Sequence, residues 1–123
     1  MEHSVLVVED EVDLVNTYDR LLRRQGCRIV AARTRKDGLA ALEGGRFALV
    51  IADIRLPDGD GLDLVRAARA RVDAPPVIVV TGFASAQSRQ QALEAGATAY
   101  LAKPFSTLAL SSLIQETLGQ PPA

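Results

Sequence analysis

Leu49-Val50-Ile51-Ala52-Asp53-Ile54-Arg55-Leu56-Pro57-Asp58-Gly59-Asp60-Gly61 is the stretch that decides the fold. Its first four residues close an apolar run, 47–52, that is continuous rather than alternating and too short for an independent helix. Such a run reads as a strand buried on both faces, the habit of parallel sheets. An acid follows at once. The turn behind it ends at Asp60 or Gly61, either of which can open a helix carrying Leu62 and Val65.

The same unit recurs outward in both directions. Short β-branched runs at 4–8, 27–32, 77–81 and 98–101 read as four more strands. Between them lie stretches with helical spacing. In 11–25, Leu14, Tyr18, Leu21 and Leu22 share a face and Gly26 supplies the stop. Thr34 with Asp37 resembles a capping box for the second helix, while Ser85 and Ser106 can cap the fourth and fifth. In the fifth, Leu110, Leu113, Ile114 and Leu118 form a stripe that can pack on a sheet. Strictly alternating strands and helices predict a doubly wound α/β sandwich, a parallel sheet covered on both faces by right-handed crossovers. In such sheets ligands bind beyond the carboxyl ends of the strands.

The chain has 123 residues, 48% of them hydrophobic, enough for one well-formed core. One domain over residues 1–119 is expected, with 120–123 a Pro-rich tail or linker stub. A net charge of −1, with no basic run set among aromatics, gives no footprint for direct nucleic-acid binding. No apolar run is long enough to span a bilayer, so no membrane contact is expected. Cys27 is the only cysteine and reads as a small core residue, consistent with a cytoplasmic location.

Five residues with chemistry fall on the rim this fold predicts. Glu9 and Asp10 follow the first strand, Asp53 follows the third, Thr81 ends the fourth and Lys103 follows the fifth. Close carboxylates repel by roughly 4 kcal/mol per pair at an effective dielectric near 20, so a cation resolves the site. Oxygen-only ligands select a hard ion, Mg2+ (or Mn2+). A carboxylate can also act as a nucleophile toward phosphorus when the transferring charge is neutralised, and Lys103 and Thr81 are placed to help. Singly, each residue has a plainer reading as a helix cap, a strand end or a solvated charge. It is their combination on separate strand ends that points to phosphoryl chemistry.

Val7-Val8-Glu9-Asp10-Glu11, the block from Ala52 to Gly61, Val80-Thr81-Gly82 and Tyr100-Leu101-Ala102-Lys103-Pro104-Phe105 resemble, in order and spacing, the signatures of response-regulator receiver domains. The resemblance spans about residues 4 to 119. It implies a flavodoxin-like receiver fold with five helices and strand order 2-1-3-4-5. It implies that Asp53 accepts the phosphoryl group, and that Asp10, Asp53 and the backbone carbonyl of Arg55 hold magnesium, with Glu9 acting through a coordinated water. Thr81 and Lys103 would bind the phosphoryl group, the Lys103–Pro104 peptide would be cis, and Thr81 with Tyr100 would form the switch pair. On spacing alone Tyr100 reads as an edge aromatic packing on helix five. The implied donor is a sensor histidine kinase or histidine phosphotransfer protein. The implied output is an attached domain or downstream protein reached through the helix 4/strand 5/helix 5 face. The domain would be no turnover enzyme, catalysing only its own phosphorylation and slow dephosphorylation.

Several positions depart from the commonest patterns. Thr98, Ala99, Ser111, Ser112 and Leu113 stand where the winged-helix class carries dimer-bridging charges, so a salt-bridged dimer is disfavoured. Monomer or another phosphorylation-dependent dimer remains, and Leu108 and Leu113 are either partner contacts or core. Arg55 and Phe83 lie two residues after Asp53 and after Thr81, where side chains of the family influence how easily water attacks the acyl phosphate; both are bulky here, so the resemblance implies slow loss of phosphate, with Arg55 as a solvated loop charge the plainer alternative. Leu93 is the only large apolar residue between Ala84 and Ala95, so helix four is expected to be loosely held. Val12, Val15 and Asn16 are the candidates for kinase docking. The rival reading is a phosphorylation-independent adaptor of the same fold, which would normally have lost a pocket residue; none is missing.

Overall fold

Every residue of β3 (Leu49–Asp53) is buried, as a strand covered on both faces must be. It pairs in parallel with β1 (His3–Val8) on one side and β4 (Val77–Thr81) on the other, the latter also buried throughout. β2 (Cys27–Ala32) and β5 (Ala99–Ala102) form the edges, so the order is β2-β1-β3-β4-β5. The computed structural model describes residues 3–119, and the expected tail at 120–123 lies outside them.

Five helices cover the sheet: α1 (Val12–Arg24), α2 (Arg35–Gly44), α3 (Leu62–Arg69), α4 (Ala86–Ala95) and α5 (Thr107–Leu118). Alternate strand residues feed two cores. Val5, Val7, Ile51, Ile78 and Val80 pack with Tyr18, Leu22, Leu110 and Ile114 on the α1/α5 side. Leu6, Val8, Val50, Ala52 and Val79 pack with Leu42, Leu64, Val65 and Ala92 on the other. Each of the valine, leucine and isoleucine side chains contributes roughly 1.5–3 kcal/mol on full burial, which makes the sheet the rigid platform for its rim.

The termini of the elements differ from the sequence reading by small, explicable steps. The third strand starts at Leu49 rather than 47 and includes Asp53, because pairing begins at Val5↔Leu49 and the acid itself stands opposite Val80. The fifth runs from Ala99 to Ala102 because Thr98 instead exchanges bonds with Val77, donating to its carbonyl and accepting its N–H on the hydroxyl. Helix one is shorter by a residue at each end, since Glu11 is extended and Gln25 precedes the left-handed Gly26. Thr34, Ser85 and Ser106 do cap their helices, accepting from the N–H groups of Asp37, Ser88 and Ala109. At α3 Gly61 takes the cap position, and the carboxylate of Asp60 accepts from Leu62 N.

One local element was not anticipated. Arg55–Leu56 and Gly59–Asp60 form a two-residue antiparallel ribbon in the loop after β3. Gly61, just beyond it, donates to the Ile54 carbonyl at 2.6 Å, and any side chain there would overlap the carbonyl oxygen of Asp53. The loop can close behind the acid only because that residue is glycine.

Candidate functional site

The parallel sheet delivers the carboxyl ends of β1, β3, β4 and β5 to one rim, and the residues there converge. Asp53, the last residue of β3, is 6% exposed. One of its carboxylate oxygens accepts from Arg55 N at 3.1 Å and the other from Lys103 Nζ at 2.7 Å. Glu9 follows β1 and is 1% exposed; its Oε1 lies 2.9 Å from the same ammonium and its Oε2 accepts from Glu11 N at 3.2 Å. Asp10 is half-buried, and carboxylate oxygens of Glu9, Asp10 and Asp53 lie within 4.8 Å of one another.

Lys103 answers this concentration of negative charge. It also lies 3.5 Å from Glu11, so three carboxylates face one ammonium. Its backbone N–H donates to the Thr81 carbonyl at 2.8 Å, and its peptide bond to Pro104 is cis. Burial works to lower the Lys103 ammonium, but its bonds to Asp53 and Glu9 outweigh this and it titrates above the ordinary lysine range. Burial is the largest influence on Glu9 and raises its carboxyl, against the opposing pull of Lys103 and Glu11 N–H. The clustered carboxylates, all oxygen donors, fit a hard divalent cation, with one lysine standing in part for that charge.

The remaining candidates frame this centre. Thr81 is fully buried, and its hydroxyl oxygen accepts from Phe83 N at 3.0 Å. Phe83 is 59% exposed and carries the Arg55 guanidinium 3.8 Å above its ring centroid, a cation–π bridge from the β3 loop to the β4 loop. A cleft of about 210 Å3 beside it is lined by Ile54, Arg55, Thr81, Phe83 and Ser88 among others. Tyr100 is half-buried and packs on the α4 side of the sheet, not on α5 as its spacing alone suggested; its hydroxyl is 2.8 Å from Ser88 Oγ.

On the outer surfaces, Val12 and Asn16 are exposed and Val15 half-buried. Leu108 is exposed, whereas Leu113 packs into the α1/α5 core. Leu93 does not anchor α4: it is 42% exposed, and the helix buries only Ala92. Sequence reasoning missed two residues that touch the centre. Gly61 was read only as a helix start, and Tyr18 only as part of an apolar face, although its hydroxyl lies 3.4 Å from Glu9 Oε1. A phenol rather than a phenyl ring at a core position was the one available signal.

Comparison with known proteins gives this geometry a family. Residues 5–115 match the response regulator receiver domain. The transcriptional regulatory protein ZraR of Salmonella typhimurium is 32% identical over 115 residues, which make up 94% of this chain but 26% of that protein. The chain thus spans only part of that relative's length. A CheY-like response regulator receiver domain protein from Methanospirillum hungatei JF-1 has a TM-score of 0.90 at 33% identity, covering 97% of this chain and 95% of the other. The receiver domain of a Pseudomonas aeruginosa sensor histidine kinase, solved with magnesium coordinated in its active site cleft, has a TM-score of 0.84 at 30% identity over 98% of this chain and 100% of that one. With the match running from β1 into α5 on the same fold, the chain belongs to the response regulator receiver domain family.

Proposed function

We propose that this receiver, residues 1–119, takes a phosphoryl group onto Asp53 from the phosphohistidine of a sensor histidine kinase or a histidine phosphotransfer protein. The observation that carries the reading is the single ammonium of Lys103 set 2.7 Å from Asp53 inside a cluster of carboxylates. A carboxylate oxygen of Asp53 attacks phosphorus, the P–N bond breaks, and the imidazole leaves with its electron pair and takes up a proton. Glu9, Asp10, Asp53 and the backbone carbonyl of Arg55 are the groups that would hold magnesium or manganese. When bound, that ion supplies the positive charge that lets an anionic nucleophile meet an anionic phosphoryl group. Lys103 pairs with one phosphoryl oxygen and the Thr81 hydroxyl donates to another.

Movement of Thr81 toward the phosphoryl group then favours a shift of Tyr100 away from Ser88, coupling the rim to α4 and to an output domain or downstream protein at the α4/β5/α5 face. Val12, Val15 and Asn16 on α1 are the proposed donor-docking positions, Val15 half-buried and the other two exposed. On this reading the domain turns over no separate substrate, works in the cytoplasm, and is a monomer or a phosphorylation-dependent dimer.

The test is intact mass after incubation with acetyl phosphate, with and without magnesium, beside Asp53→Asn. The expected result is a magnesium-dependent gain of one phosphoryl group that Asp53→Asn abolishes. No gain in the parent protein under any condition would overturn the reading in favour of a binding-only adaptor.

A further inference from the structure

Tyr18 lies on α1, 1% exposed, with its ring stacked on that of Phe105 at 6.1 Å between centroids and 16° between planes. For packing alone phenylalanine would serve, and a buried phenol needs a partner for its hydroxyl. Here that partner is Glu9 Oε1, the same oxygen that faces Lys103. The buried carboxylate is therefore held by three donors on three segments: Tyr18 from α1, Lys103 from beyond β5, and Glu11 N from the loop after β1. A phenol, with an ordinary pKa of about 10, is a neutral donor at physiological pH.

These donors have different duties once the site is loaded. An ammonium has three protons, and on the reading above one must turn to a phosphoryl oxygen. Glu9 is then left with less of its closest partner while remaining buried, and a buried carboxylate short of donors is costly. We propose that Tyr18 is a positioning residue, whose hydroxyl holds Glu9 toward the metal when Lys103 is drawn to the phosphoryl group. The stack on Phe105 gives the same ring a second hold, on the segment two residues beyond Lys103. This rests on the phosphoacceptor reading and adds to it a residue whose neutral hydroxyl never touches the reacting atoms.

The test compares the parent protein with Tyr18→Phe, which keeps the ring, and with Ile114→Val, a mild truncation in the same core. Affinities for magnesium alone, and for beryllofluoride with magnesium as a phosphoryl mimic, are read from amide shifts in NMR titrations. Tyr18→Phe is expected to weaken both, by roughly threefold for magnesium and up to about tenfold for beryllofluoride, where Lys103 is recruited. Ile114→Val should leave both unchanged. Parent affinities matched by Tyr18→Phe, or a loss that Ile114→Val reproduces, would overturn the proposal while leaving the phosphoacceptor reading in place. A parent protein that bound neither probe would overturn that reading, and the role of Tyr18 with it.

Discussion

Arg55 and Phe83 act across a gap that neither could close alone. The guanidinium lies over the ring, so the two side chains form one cover across the loops that follow β3 and β4. Exposed pairs of this kind are worth about 0.5–1 kcal/mol, roughly a twofold to fivefold change in an equilibrium constant. If that cover limits the attack of water on the acyl phosphate, Arg55→Ala and Phe83→Ala should each shorten its half-life by about that factor. The double variant should lose little more than either single one, because each already breaks the same contact. Decay of the phosphorylated mass over time measures this, and fully multiplicative losses would show two independent effects. At this scale the acids, Thr81 and Lys103 were legible because each ends or follows an apolar run and so must lie on the rim. Tyr18 and Gly61 were not, because their roles depend on which atoms approach them in three dimensions. No spacing rule reports that the Asp53 carbonyl oxygen lies against Gly61.

Helices α2 and α4 are held in opposite ways. The first N–H groups of α2 donate to Asp58, from Arg35 N at 2.6 Å and Lys36 N at 2.9 Å, and Arg35 also pairs with Asp63 on α3. The ribbon after Asp53 is thereby fastened to a neighbouring helix. The bond from Lys36 N is the leading cause that holds the Asp58 carboxyl below the usual range, with Arg35 N adding to it. A depressed carboxyl contributes stability that is whole above its unfolded value, about pH 4, and is lost as pH falls through the folded one. Asp58→Ala should therefore unfold at lower urea than the parent at neutral pH, with the gap narrowing below about pH 4. A gap that stayed constant with pH would rule out the charged cap. By contrast α4 buries only Ala92 and relies on the Ser85 cap and the Ser88–Tyr100 contact. Its amides should exchange hydrogen faster than those of β3 and β4, and equal protection would count against a loose α4. The Ser85 and Thr34 caps were readable because cap and helix adjoin in sequence; the Asp58 cap was not, since its helix lies more than one element earlier.

Taken whole, the molecule concentrates unfavourable charge at one end of a well-packed sheet. No described helix is long and apolar enough to cross a membrane, and the net charge of −1 gives little long-range field. The alternation of elements was enough to predict the layers, while the strand order rested on the family resemblance rather than on hydrophobic pattern. Because the rim carboxylates repel, a bound divalent ion should stabilise the entire fold. At ten times its dissociation constant, magnesium should add about 1.4 kcal/mol, raising the unfolding midpoint, and a chelator should reverse the gain. An unfolding curve indifferent to magnesium would place the ion elsewhere or nowhere.

The bonds from Lys103 reach back 50 residues to Asp53 and 92 to Glu11. A chain still being made carries the Asp53 carboxylate long before it carries the ammonium that pairs with it. Until β5 has been synthesised and docked at the edge of the sheet, a partner could meet the acid but not the assembled centre. On the phosphoacceptor reading, competence to take the phosphoryl group is thus tied to completion of the fold.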